Sequence, residues 1–142
     1  MNNQQLVRSI MTKSPRTVTK DTPVQEAARL MKKADFGALI VNDSNDAICG
    51  IVTDRDIVLR SVADGQDLEK TMVESICSTN TVCLSPDDTI DQAVEKMVKH
   101  SIRRVPVVEN NMAIGILSLG DLAIVRQPES ALGKISNSSP QS

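Results

Sequence analysis

The chain has 142 residues, a formal net charge of −2 and a pI near 5.4, so it offers no basic field for a polyphosphate backbone. Its single aromatic residue, Phe36, leaves nothing on which nucleic-acid bases could stack, and nucleic-acid binding is not expected. Hydrophobic residues at 40% and charged residues at 24% are those of an ordinary globular protein, and no apolar run reaches the roughly 20 residues of a membrane span.

The opening Met1-Asn2-Asn3-Gln4-Gln5 is polar and unlike a secretory leader, which leads to the expectation of a cytoplasmic protein. An extended segment at Thr17-Val18-Thr19 comes before Thr22-Pro23, a helix start. Val24, Ala27, Ala28 and Met31 then fall at i, i+3, i+4 and i+7, so the spacing predicts a helix over 23–33 with one buried face. Two short apolar runs, 38–41 and 48–52, flank the turn cluster Asn42-Asp43-Ser44-Asn45-Asp46 and read as a β-hairpin. Thr53 opens another helix. The polar stretch 63–69 contains Gly65 and reads as linker, followed by a short helix over 73–76. The pieces then return: an extended segment at Cys83-Leu84-Ser85, a helix over 89–99, strands over 104–108 and 114–117 about Glu109-Asn110-Asn111, and a helix after Ser118. From Lys134 onward apolar residues are almost absent, and disorder is expected.

The recurrence is an internal repeat. Val7-Arg8-Ser9-Ile10 returns as Val73-Glu74-Ser75-Ile76, and Asp21, Ala27 and Met31 return as Asp87, Ala93 and Met97, all 66 residues later. A turn then loses one residue, and Gly50-Ile51-Val52-Thr53 with Asp56 returns 65 residues later as Gly115-Ile116-Leu117-Ser118 with Asp121. The chain therefore reads as two β-α-β-β-α copies, 6–62 and 73–127, with a linker at 63–72 and a tail at 128–142. The fold class is α+β. Strands this few and short cannot bury both faces alone, so the copies are expected to pack through their sheets about a pseudo-twofold, with function sought between them.

The pattern that could carry chemistry is glycine, two aliphatics, a hydroxyl and, three residues on, an aspartate. It places a strand end, a hydroxyl and a helix start at one point, where unpaired amides favour an anion. Thr53 and Ser118 could hold a phosphate oxygen, and Asp56 and Asp121 offer acceptor oxygens suited to a ribose diol. The same Thr-x-x-Asp and Ser-x-x-Asp also resemble a capping box that serves only the helix itself, and the residues alone leave both readings open. Nucleophile–base pairs and a Gly-x-x-x-x-Gly-Lys phosphate loop are absent from the sequence, so no catalytic residues are expected. Cys49, Cys77 and Cys83 are odd in number and lack paired spacing, and read as free, buried thiols. With His100 as the sole histidine, no metal site is expected.

The duplicated unit, the Gly-Ile-Val-Thr-x-x-Asp and Gly-Ile-Leu-Ser-x-x-Asp pair, and Arg103-Arg104-Val105-Pro106-Val107-Val108 together resemble a tandem pair of CBS domains, or Bateman module, over residues 6–127. The chain is similar to stand-alone bacterial CBS-pair proteins of the hypoxic response protein type. The resemblance implies a regulatory module, not an enzyme, that senses an adenosyl compound such as AMP, ATP, S-adenosylmethionine or NAD in clefts between the repeats, and that transmits binding to an unidentified protein partner. The resemblance implies no required cofactor, the adenosyl compound being a candidate regulatory ligand. It also implies a homodimer formed through helices at 54–62 and 119–126. Carried over by position, Asp56 and Asp121 hold ribose, Thr53 and Ser118 lie near phosphate, and Arg103 and Arg104 approach phosphate. The implied clefts cross the repeats: Thr53 and Asp56 with Val82, Leu84, Arg103 and Arg104, and Ser118 and Asp121 with Arg16, Val18, Gly37 and Ala38. On this reading a phosphorylated nucleotide prefers the cleft that receives the two arginines. The alternative is a ligand-free dimerisation or scaffold module.

Overall fold

The structure, a computed structural model, describes residues 5–79 and 82–126. The tail expected over 128–142 lies outside the described residues. The chain divides into two compact units, one of residues 16–81 and one of residues 1–15 with 82–142. Each unit joins the body of one sequence repeat to the short segment that leads into the other. No helix among the described residues is long and apolar enough to cross a membrane.

In the unit of residues 16–81, β2 (Thr17–Thr19) runs parallel to β3 (Ala38–Asn42), and β3 pairs antiparallel with β4 (Ile48–Thr53). Helix α1 (Val24–Ala34) buries Val24, Ala27 and Met31 against Leu39, Val41 and Val52 of the sheet, as its 3.6-residue periodicity requires. Asp35, in left-handed geometry at φ 53°, ends the helix, with the Phe36 amide donating back to Met31 O at 3.0 Å. The same core takes Val73, Ile76 and Cys77 from a single helical turn at Val73–Ser75 and the residues after it. Ser78 and Ile51 then exchange amide-to-carbonyl bonds of 2.9 and 3.2 Å, which lays the lead-in segment along β4.

The second unit repeats this plan. Helix α3 (Ile90–His100), started by a Thr89–Gln92 capping box, buries Ile90, Ala93 and Met97 against Val105, Val107 and Leu117. Strands β5 (Arg104–Glu109) and β6 (Met112–Ser118) form a hairpin about Asn110 and Asn111, both at positive φ (54° and 66°), the geometry that a two-residue primed turn requires. Val7, at the start of the chain's first helical turn, lies in this core, and its amide donates to Asp88 O at 2.9 Å. The following β1 (Thr12–Lys13) pairs antiparallel with β6 as the third strand of the sheet.

One expected strand is reduced. The segment at 83–85 makes only an isolated parallel bridge, Leu84 to Val107, held by Leu84 N–H to Pro106 O (2.9 Å) and Val108 N–H to Leu84 O (2.8 Å). In the first copy this ladder continues with Ile40 N–H to Arg16 O and Lys20 N–H to Asn42 O, both 2.9 Å. The residues 66 positions on from Ile40 and Lys20 are Pro106 and Pro86, which have no N–H to give, so both flanking bonds are lost.

Candidate functional site

Each hydroxyl–aspartate pair sits where a strand turns into a helix. At the end of β4, Thr53 is extended (φ −115°, ψ 165°), its Oγ1 accepts the Asp56 N–H at 3.1 Å, and its own N–H donates to Asp56 Oδ2 at 2.9 Å. At the end of β6, the Asp121 N–H donates to Ser118 Oγ at 3.1 Å and the Ser118 N–H to Asp121 Oδ2 at 2.9 Å. Both pairs are therefore capping boxes. Capping does not exhaust them: a hydroxyl that accepts one bond keeps its own hydrogen, and each carboxylate keeps Oδ1.

The free amides that the sequence leads one to expect for an anion are engaged at the first junction. After Thr53, the Asp54 N–H donates to Gly37 O (3.0 Å), the Arg55 N–H to Asp54 Oδ1 (2.8 Å), and the Asp56 N–H to Thr53. Helix α2 (Asp54–Ile57) gives way after one turn to a wider π-type turn at Val58–Val62, whereas α4 (Leu119–Arg126) runs eight residues from Ser118. The dipole contribution at the second junction is correspondingly the larger.

Strand register decides which candidates meet within a unit. Ala38 lies opposite Thr53, Gly37 O receives the Asp54 amide, Arg16 O receives the Ile40 amide, and Val18 pairs with Val41. Arg16, Val18, Gly37 and Ala38 thus share the unit of Thr53 and Asp56. In the other unit Arg104 lies opposite Ser118, and Arg103 O receives the Leu119 amide at 2.8 Å. Leu84 and Val82 belong to that unit with Ser118 and Asp121. Leu84 and Ala38 are fully buried, Val18, Gly37, Val82 and Arg104 are half-buried, and Arg16 and Arg103 are exposed. Among the described residues no group of three or more His, Cys, Asp or Glu is placed to hold a metal ion.

The two aspartates differ electrostatically. Burial pushes the Asp121 carboxyl above its ordinary range, against the opposing effect of hydrogen bonding with Ser118. Asp56 has a cation nearby: Arg60 Nε is 3.8 Å from its Oδ1, while Arg60 Nη1 donates to Ile76 O at 3.0 Å. Sequence reading passes over Arg60, because nothing local signals a partner 16 residues away. A carboxyl whose folded pKa is raised stabilises the fold fully below its unfolded pKa and loses that contribution as pH rises through the folded value. Asp121→Asn retains an oxygen for the Ser118 amide and removes the desolvated charge. Relative to wild type, its melting temperature is expected to rise between pH 4 and pH 7, as thermal denaturation across that range would show; a parallel pH profile would contradict the burial cost.

Glycines Gly50 and Gly115 have a reason unrelated to any ligand. A Cβ on Gly50 would overlap the Ser78 carbonyl oxygen and lie 3.1 Å from its carbon; one on Gly115 would lie 2.6 Å from Met11 Sδ and 2.9 Å from Thr12 O. Each glycine admits the docked lead-in segment.

Comparison with known proteins bears on this geometry. The family model for the CBS domain matches residues 7–63 and 73–126. The CBS domain-containing protein YhcV of Bacillus subtilis is 40% identical over 136 residues, covering 95% of this chain and 96% of that protein. A solved structure of an uncharacterized conserved protein from Pyrococcus horikoshii superposes with a TM-score of 0.80 at 30% identity, covering 92% of this chain and 100% of that one. The CBS domain pair of protein MJ0100, solved in complex with 5-methylthioadenosine and S-adenosyl-L-methionine, gives a TM-score of 0.79 at 28% identity and covers 89% of this chain and 98% of that one. Hypoxic Response Protein I, solved with two coordinated zinc ions, gives a TM-score of 0.77 at 28% identity, with 84% of this chain and 97% of that one covered; Hypoxic response protein 1 of Mycobacterium tuberculosis is 29% identical over 116 residues, covering 82% of this chain and 81% of that protein.

Proposed function

Because this chain belongs to the CBS-domain family, with two copies in tandem, we propose that it is a regulatory module that binds an adenosyl compound and passes the binding event to a partner protein. The observation that carries this reading is the doubled junction. Two strand-to-helix turns hold a hydroxyl and a carboxylate in the same geometry, each with one carboxylate oxygen left by the cap. Adenosyl compounds occupy the related MJ0100 pair, which supports the ligand class. No enzyme family is indicated.

In the proposed clefts the repeats contribute to each other, Thr53 and Asp56 with Val82, Leu84, Arg103 and Arg104, and Ser118 and Asp121 with Arg16, Val18, Gly37 and Ala38. The register that sets Arg104 beside Ser118 gives its guanidinium a second candidate address. Arginine can grip phosphate bidentately, so Arg104→Ala should weaken AMP and ATP more than S-adenosylmethionine. The capping boxes favour a second reading, a ligand-free scaffold in which these side chains serve only their helices. Homodimerisation fits either. Val58, Leu59 and Val62, at 54%, 49% and 53% exposure on the turn after α2, are apolar surface for a second copy to cover.

Thermal denaturation with AMP, ATP, S-adenosylmethionine and NAD, alongside molar mass by light scattering, tests the proposal. A ligand at 100 times its dissociation constant stabilises the fold by about 2.7 kcal/mol, or about 8 °C for a chain of this size. If none of the four moves the transition, the scaffold reading replaces the sensor. The sequence contains no Trp or Tyr, so a co-purifying adenine nucleotide would also dominate the near-ultraviolet spectrum of the purified protein.

A further inference from the structure

We propose that Arg60 links the Asp56 carboxylate to residues 73–78, the stretch that leads into the second repeat, so that what Asp56 holds alters how firmly that stretch docks. The link stands on geometry. Its trigger rests on the ligand reading above.

The π-type turn at Val58–Val62 closes with Ala63 N–H to Val58 O at 2.9 Å. Ser61 is buried in that turn and bonds back to Ile57 O, while its neighbour Arg60 lies half-exposed along the surface. One end of the Arg60 fork donates to Ile76 O at 3.0 Å, and its Nε stands 3.8 Å from Asp56 Oδ1. Ile76 ends the helical turn at Val73–Ser75, beside Ser78, whose amide reaches Ile51 of β4. The guanidinium thus spans the motif's carboxylate and the lead-in backbone.

As a contribution to stability a pair this open is worth little. Its consequence is connection: Asp56 Oδ2 is committed to the Thr53 amide, and Oδ1 is the oxygen left both for Arg60 and for a ribose hydroxyl. A ligand that fixes Oδ1 fixes the group against which Arg60 rests, and by linkage a firmly docked 73–78 favours the ligand in return. The sequence does not repeat this arginine in the second copy. The residue 65 positions on from Arg60 is Val125, which has no charge to offer Asp121.

Amide hydrogen exchange on the full chain tests the link without ligand. Arg60→Ala should speed exchange of a peptide covering 73–79 roughly tenfold, the loss expected for one bond to a charged donor. Asp56→Asn should speed the same peptide, and should add nothing in the Arg60→Ala background. Should Arg60→Ala fail to fold, Arg60→Lys, which keeps the charge but not the fork, should give an intermediate rate. Unchanged exchange in the Arg60 variants, or an Asp56→Asn effect that persists undiminished without Arg60, would overturn the proposal. With AMP added, the peptide should slow in wild type but not in Arg60→Ala, although calorimetry shows AMP bound to both. Binding of AMP to neither protein would count against the ligand reading alone, since the ligand-free exchange decides the link.

Discussion

Gly50→Ala is expected to lower the stability of the protein by about 3 kcal/mol, the upper end of the overpacking range, and its melting temperature by about 10 °C. The added methyl meets the Ser78 carbonyl group, backbone that is itself tied to β4 by two hydrogen bonds and cannot swing aside. Gly115→Ala is the informative comparison. The nearest atom there is Met11 Sδ, the far end of a flexible side chain, with Thr12 O next at 2.9 Å, so the cost should fall to about 1–2 kcal/mol. Chemical denaturation of both variants measures the difference. Transitions within about 2 °C of wild type for both would mean that the lead-in segments are not docked against these strands.

Asp56→Asn is expected to weaken the adenosyl ligand about 100-fold, equivalent to about 2.7 kcal/mol, while leaving the fold nearly unchanged. An asparagine oxygen can still accept the Thr53 amide, so the cap survives. Lost are the charge and the second acceptor, and a charge-assisted bond to a sugar hydroxyl is worth about 1.5–3 kcal/mol. Thr53→Ala is the converse control: it removes the cap acceptor for the Asp56 amide and should cost about 1 kcal/mol of stability. Titration calorimetry with the compound that gives the largest thermal shift provides the measurement. Affinity unchanged in both Asp56→Asn and Asp121→Asn would assign the two aspartates wholly to capping and leave the scaffold reading.

Much of the local structure was legible because it depends on near neighbours. Val24, Ala27 and Met31, and their counterparts Ile90, Ala93 and Met97, mark buried helix faces by spacing alone, and the helices run within a residue of where that spacing puts them. Asn110-Asn111 announces its hairpin because asparagine tolerates the left-handed backbone that the turn needs. The junction motif was visible too, but the sequence could not say whether its amides were free. They are engaged at Thr53 because Gly37 O and the Asp54 side chain reach them; the second contact is local, but the first is set by how the segment entering β3 lies beside the start of α2.

What the sequence by itself determined is the duplication, the α+β alternation and a hydroxyl–aspartate pair at each strand-to-helix junction, since each is written in residues a few positions apart or in a copy that can be compared. Only the tertiary structure decided that Val7 packs with Ile90 and Ala93, that Val73 packs with Val24, that β1 rather than the segment at 83–85 completes the second sheet, and that Arg60 reaches Ile76. The first two join apolar side chains that many partners could cover, the third joins backbone to backbone, and the last joins one side chain to a distant carbonyl. A carbonyl is the same in every residue, so its partner leaves no mark in the sequence beyond the glycine or proline that makes room for it or cannot bond to it.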